Sequence, residues 1–234
     1  MKRIVMPILL CLLTMPLFGR VYLVSVGIAD YPGSENDLRV SGEDAKTISK
    51  IFLATKNASV QTLTNENATQ GGMLSAMHTL FTEAGNDDTI MLYFSGHGTE
   101  GALVCYDGLL SYGHISKMLN GYHAKQNIII VDACYAGKMR TSKQRSPDYN
   151  DQNVMFFLSS RTNEESKESP FKNSLFTIFL ERGLRGGADS DRDRIITAHE
   201  LYDFVHNGVV EASNGKQHPV MWGKFNNNMT VIKW

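Results

Sequence analysis

Two short, almost unbroken apolar runs, each emptying into a glycine-bearing turn with one reactive side chain, constrain this chain more than any other feature. The first, Ile90-Met91-Leu92-Tyr93-Phe94, leads into Ser95-Gly96-His97-Gly98. The second, Asn127-Ile128-Ile129-Ile130-Val131, leads into Asp132-Ala133-Cys134-Tyr135-Ala136-Gly137. A run that is apolar at consecutive positions has no polar face to turn toward water. It predicts a strand covered on both sides, as in a parallel sheet sandwiched between helices.

The remaining periodicity agrees. Strands are expected at Val21 to Val26, Val60 to Leu63, Thr89 to Phe94, Ala102 to Cys105, Asn127 to Val131 and Val154 to Leu158. Between them, amphipathic spacing predicts helices at about Glu43 to Thr55, Thr69 to Ala84, Ser111 to Leu119, Asn173 to Arg182 and Thr197 to Val210, several with Ser, Thr or Asn placed to cap the first turn. The alternation argues for an α/β fold, a three-layer α/β/α sandwich on a mainly parallel sheet, with an antiparallel edge among the later strands. No repeat or long linker interrupts Arg20 to Trp234, which reads as one domain.

Residues 1–19 are set apart. Met1-Lys2-Arg3, then apolar Ile4 to Leu13, then Pro16 and Gly19, follow the basic, apolar, small-residue order of a secretory signal peptide. The apolar run is well short of the roughly 20 residues a membrane span needs. The expected product is secreted or periplasmic, with no membrane association once the leader is removed. Loss of Lys2 and Arg3 shifts the formal charge from −1 to about −3, which implies no nucleic-acid partner. Of three cysteines only Cys105 and Cys134 would survive processing, too few for a disulfide framework in an exported chain.

A thiol with an ordinary pKa of about 8.5 is mostly protonated at neutral pH, and a neighbouring imidazole raises its thiolate fraction. The same imidazole can protonate a leaving amine. His97 and Cys134 each follow a buried strand, at the sheet edge where open α/β folds bind ligands. They are the expected catalytic pair, with the N–H groups of Gly98 and Cys134 as the oxyanion hole. Taken singly, Cys134 would read as a buried structural thiol.

Tyr93-Phe94-Ser95-Gly96-His97-Gly98 followed by Asp132-Ala133-Cys134-Tyr135-Ala136-Gly137 resembles the caspase-like cysteine peptidases, and within them the metacaspase branch. The resemblance begins at Val26-Gly27-Ile28 and runs through Leu38 to Asp44-Ala45. It returns at Ser159-Ser160, Asn173-Ser174-Leu175-Phe176-Thr177, Thr197-Ala198-His199-Glu200-Leu201 and Gln217-His218-Pro219. It implies a caspase-like sheet and a peptidase activity. Animal caspases carry glutamine two residues before the cysteine and their histidine about 50 residues upstream, whereas here Asp132 holds that position and the gap is about 37 residues.

The resemblance further implies that Asp132, Asp44 and Ser95 line the pocket for the side chain preceding the scissile bond. Two carboxylates and a hydroxyl there would attract Arg or Lys and repel an acidic side chain. Protein or peptide substrates with basic residues are therefore the expected partners. Each residue also has a plainer reading: Asp44 as a first-turn helix carboxylate, Ser95 as a turn hydroxyl, Asp132 as a turn cap or a support for His97. Arg39 pointing into the pocket would weigh against the substrate preference. Two other classes remain open at this stage, a catalytically idle binding domain and a cysteine amidase or transpeptidase.

Asp189, Asp191, Asp193 and Glu200 imitate a calcium loop, but Arg194 stands where an EF-hand turns on glycine. Thr197 and Glu200 equally make a capping box for the last helix, the favoured account. No metal or other cofactor is assigned, calcium being the one considered. Lys138, Arg140, Lys143 and Arg145 form a basic stretch after the cysteine, a solvated loop or a place where such an enzyme cuts itself.

Overall fold

The computed structural model describes residues 19–99, 101–133, 154–160 and 172–234. Residues 1–18 of the expected leader, Cys134 and the basic stretch Lys138 to Arg145 lie outside the described residues.

Ten strands and five α-helices are described. The strands are β1 (Val21–Gly27), β2 (Ala58–Thr64), β3 (Thr89–Ser95), β4 (Ala102–Cys105), β5 (Gly108–Ser111), β6 (Gln126–Asp132), β7 (Val154–Leu158), β8 (Ile195–Thr197), β9 (Val220–Lys224) and β10 (Thr230–Lys233). The helices are α1 (Ser41–Ala54), α2 (Gln70–Phe81), α3 (Tyr112–Leu119), α4 (Leu175–Arg182) and α5 (Ala198–Ala212). Six strands make one sheet in the order β2-β1-β3-β6-β7-β9. All pairs are parallel except β7 with β9, the expected antiparallel edge.

Burial explains the apolar runs. Leu23, Met91, Tyr93, Ile130, Met155 and Phe157 pack on one side, in a core completed by α1, α4 and α5. Val24, Val26, Leu92, Phe94, Ile129 and Val131 alternate with them and pack on the other side against α2 and α3. This is the α/β/α sandwich the patterning predicts. The parallel strands β1, β3 and β6 end level with one another, Gly27 opposite Ser95 and Ser95 opposite Asp132.

Sequence patterning misplaced or missed the short outer strands. Ala102–Cys105 is a strand, but it leaves the central sheet and pairs with β5 in a hairpin of its own. The three-residue β8 pairs with β10, and β9 is held by Trp222 stacked on Phe156, ring centroids 4.2 Å apart. The strands missed, β5, β8, β9 and β10, are short and none is apolar throughout. Caps set the helix starts: Thr69, Ser111, Ser174 and Thr197 each accept a hydrogen bond from an N–H of the first turn. Thr197 and Glu200 complete the expected capping box.

Helix α1 lies directly on the end of β1, where the Ser25 hydroxyl donates to the Ala45 carbonyl over 2.9 Å. Gly27 permits this contact, because a β-carbon there would stand 2.1 Å from the Ser41 carbonyl oxygen. A backbone atom cannot swing aside, so Gly27→Ala must push α1 off the sheet. The expected cost is about 1–3 kcal/mol, a fall of several degrees in Tm by scanning calorimetry. An unchanged Tm would contradict this account of how α1 is seated.

Candidate active site

The turn after β3 carries His97, half-buried at the carboxyl edge of the sheet. Its imidazole Nε2 lies 2.8 Å from the Asn36 carbonyl oxygen. A carbonyl only accepts, so Nε2 carries the proton and Nδ1 keeps the lone pair of the neutral ring. The carbonyl is presented by the single 3₁₀ turn Ser34–Asn36. Side chains pin that loop: Asn65 Oδ1 accepts the Ala29 amide, and Asp37 Oδ1 accepts the Tyr31 amide, both over 3.0 Å.

Tyr31 holds the histidine from below. Its hydroxyl accepts the His97 amide over 2.9 Å and donates to the Val104 carbonyl over 3.1 Å, while its ring lies 4.9 Å from the imidazole. Burial pushes the Tyr31 phenol well above its ordinary pKa, so it stays neutral. Gly96 allows the approach, because a β-carbon there would meet the Tyr31 hydroxyl at 2.6 Å. Neither Tyr31 nor the Asn36 carbonyl was singled out from sequence. The carbonyl belongs to the backbone, and residue type says nothing about it.

Gly98 faces Leu103 in an isolated antiparallel bridge. The bridge is closed by the flanking bonds, Val104 N–H to the His97 carbonyl and Thr99 N–H to the Ala102 carbonyl. In such a non-hydrogen-bonded pair the N–H of Gly98 takes no part in the bridge. On the β6 side, Ala133 is the last described residue before Cys134, and its amide is held by Ser159 Oγ over 3.2 Å. Ser160, next to Ser159, is buried with a hydroxyl that has no hydrogen-bond partner among the described residues.

Cys105 is buried, and burial with the nearby Asp107 pushes its pKa up to about 12. A protonated thiol packed against Met73 is a structural cysteine.

The three expected pocket residues come together. Asp44 is fully buried, Asp132 is 4% exposed and Ser95 is 2% exposed. Ser95 Oγ donates to Asp44 Oδ2 over 2.9 Å. Asp44 Oδ1 accepts the Asn173 side-chain amide over 2.8 Å and the Ser174 backbone amide over 3.0 Å. Asp132 Oδ2 accepts the Ser174 and Thr177 hydroxyls. Beneath them, Tyr93 shares a 2.6 Å hydrogen bond with Thr177. Arg39 is exposed, whereas the three residues of this cluster are buried.

Loss of hydration first, and the charge of Asp132 second, raise the Asp44 pKa to about 7 against the opposing pull of the Asn173, Ser174 and Ser95 donors. Below about pH 4 the carboxyl is protonated in folded and unfolded chains alike, and no penalty arises. As pH rises toward 7 the unfolded chain ionises first, and stability is lost. Asn mimics the protonated acid: its carbonyl keeps both amide donors and its NH₂ donates to Ser95. Asp44→Asn is therefore expected to gain stability over the wild type at pH 8 and not at pH 4, read by urea denaturation at both values. A gain confined to pH 4 would overturn this assignment.

Two other features lie away from the site. Carboxylate oxygens of Asp189, Asp191 and Asp193 lie within 4.8 Å of one another, ahead of the α5 cap. Arg194 adopts φ of 67° there, and both oxygens of Glu200 are taken by Ser190 and Thr197. A cavity of about 670 Å³ opens at the opposite end of the sheet, lined by Val21, Thr89 and Gln126 where β1, β3 and β6 begin. It takes no part in the edge that carries His97.

Comparison with known proteins follows the same outline. A sequence model described as the caspase domain matches residues 21–229. Among solved structures, a Geobacter sulfurreducens protein determined as a structural-genomics target superposes with TM-score 0.67 at 17% identity, over 88% of this chain and 94% of that one. Caspase-1 from Spodoptera frugiperda superposes with TM-score 0.69 at 16% identity, over 92% of this chain and 91% of that one. At these identities the structural likeness is one of fold. No curated protein sequence matches.

Proposed function

We propose, from the premise that this chain belongs to the caspase domain family, a family of cysteine peptidases, that it is an endopeptidase cutting after Arg and Lys. The observation that carries the specificity is the pair of buried carboxylates, Asp44 and Asp132, gathered with Ser95 at the sheet edge that bears His97. A buried acidic pair is costly unless it meets donors, and a guanidinium or ammonium supplies both charge and donors. Asp132 precedes the cysteine by two residues, which suits a metacaspase-like enzyme better than one preferring acidic side chains.

The reaction uses Cys134 as nucleophile. In the sequence it stands two residues after Asp132, the last residue of β6. Its thiolate sulfur attacks the scissile carbonyl carbon, and the negative oxygen is received by the N–H groups of Gly98 and Cys134. The imidazolium of His97 gives its Nδ1 proton to the departing amine, leaving a thioester. Water then attacks the thioester carbonyl and gives a proton to Nδ1, and the sulfur leaves as thiolate. The Asn36 carbonyl holds Nε2–H throughout, which fixes the orientation of the ring. Export through the leader at residues 1–19 would place this activity outside the cytosol.

Peptide-library cleavage tests the reading. The mature chain is expected to cut after Arg or Lys, with and without chelator, and Cys134→Ala to lose at least about 1,000-fold in kcat/KM. Full turnover by Cys134→Ala, or a preference for acidic or apolar side chains, would refute it. Mass spectrometry of the two proteins would show whether the wild type alone is nicked between Lys138 and Arg145.

A further inference from the structure

We propose that Ser174 is a positioning residue that sets the spacing between the two pocket carboxylates, and thereby makes the pocket favour a guanidinium over an ammonium. The inference rests on the basic-residue pocket proposed above and adds a residue and a discrimination to it.

Asp44 is carried by the first turn of α1 and Asp132 by the end of β6, so no short covalent path fixes the distance between them. Ser174 belongs to a third element, the cap of α4, and touches both. Its N–H donates to Asp44 Oδ1 over 3.0 Å, and its hydroxyl donates to Asp132 Oδ2. The same hydroxyl oxygen accepts the Thr177 amide over 3.1 Å, tying the bridge to the α4 backbone. Two neighbours stiffen it: Asn173 donates to Asp44 Oδ1 and to Thr47 on α1, and Thr177 donates to Asp132 Oδ2. Ser174 is itself only 6% exposed. The positive end of the α4 dipole also lies against both acids, which steadies two like charges held together.

The chemistry of the two basic side chains turns spacing into preference. A guanidinium is a rigid planar fork whose donors leave in fixed directions and reward two acceptors held at one separation. An ammonium is a compact charge that adapts to acceptors at various distances. Loss of the hydroxyl that joins the carboxylates therefore weakens binding of Arg more than of Lys.

The test compares kcat and KM of the full chain on two reporter peptides that differ only in Arg or Lys before the scissile bond. Wild type, Ser174→Ala, Ser174→Gly and Ser174→Thr are measured side by side. Glycine is nearly as good a helix cap as serine but has no hydroxyl, so Ser174→Gly separates the bridge from the cap and stands in if the alanine variant fails to fold. Wild type is expected to prefer Arg. Ser174→Ala and Ser174→Gly are expected to lose about 10-fold or more in kcat/KM on Arg, chiefly in KM, with the Arg-to-Lys ratio falling toward unity. Ser174→Thr is expected to keep the ratio. Equal loss on both peptides, or no loss, would overturn the role of Ser174 while leaving the basic-residue pocket standing. A wild type that cuts neither peptide would overturn both.

Discussion

Two carboxylates of like charge buried side by side are the constraint around which this site is arranged. Burial opposes the ionisation of Asp44, and the neighbouring Asp132 opposes it again. Such a pair persists in a folded protein only when donors are aimed at it. Here they come from two separate elements: the Ser95 hydroxyl at the end of β3, and the Asn173, Ser174 and Thr177 groups at the head of α4. The α1–β1 contact at Gly27 and the docking of α4 on the same face therefore serve the site as well as the core.

The histidine is held by different means. Its ring rests on Tyr31 and its Nε2 is tied to a backbone carbonyl, so the sheet supplies the strand and a separately pinned loop supplies the orientation. Division of labour of this kind is common in α/β folds, where the rigid sheet sets positions and loops at the carboxyl edge carry chemistry. The chain Gln217 to Ser159 to Ala133 extends the same logic to β6: Gln217 donates to the Ser159 carbonyl over 2.8 Å, and the Ser159 hydroxyl holds the residue preceding Cys134.

The sandwich was legible because β1, β3, β6 and β7 are buried on both faces, and burial on both faces leaves unbroken apolar runs. The outer strands were not. Val220–Lys224 includes Gly223 and is half exposed, and Ile195–Thr197 follows an acidic loop whose composition hides it. In the site, His97, Asp132 and Ser95 were readable because each directly follows or closes such a run, and Asp44 because its segment resembled a known one. Ser174, Tyr31 and the Asn36 carbonyl were not, since their roles depend on partners far along the chain and, for Asn36, on no side chain at all. Ser174 lies in the segment Asn173 to Thr177 that resembled a known one, which located α4 but not its bond to Asp132.

The most direct measurement is a crystal structure of the mature chain inactivated with an arginyl chloromethyl ketone. The account predicts a carbon–sulfur bond at Cys134, the arginine side chain buried with its guanidinium between Asp44 and Asp132, and His97 Nδ1 facing the sulfur. Alkylation elsewhere, or an arginine side chain lying outside the acidic pair, would contradict it.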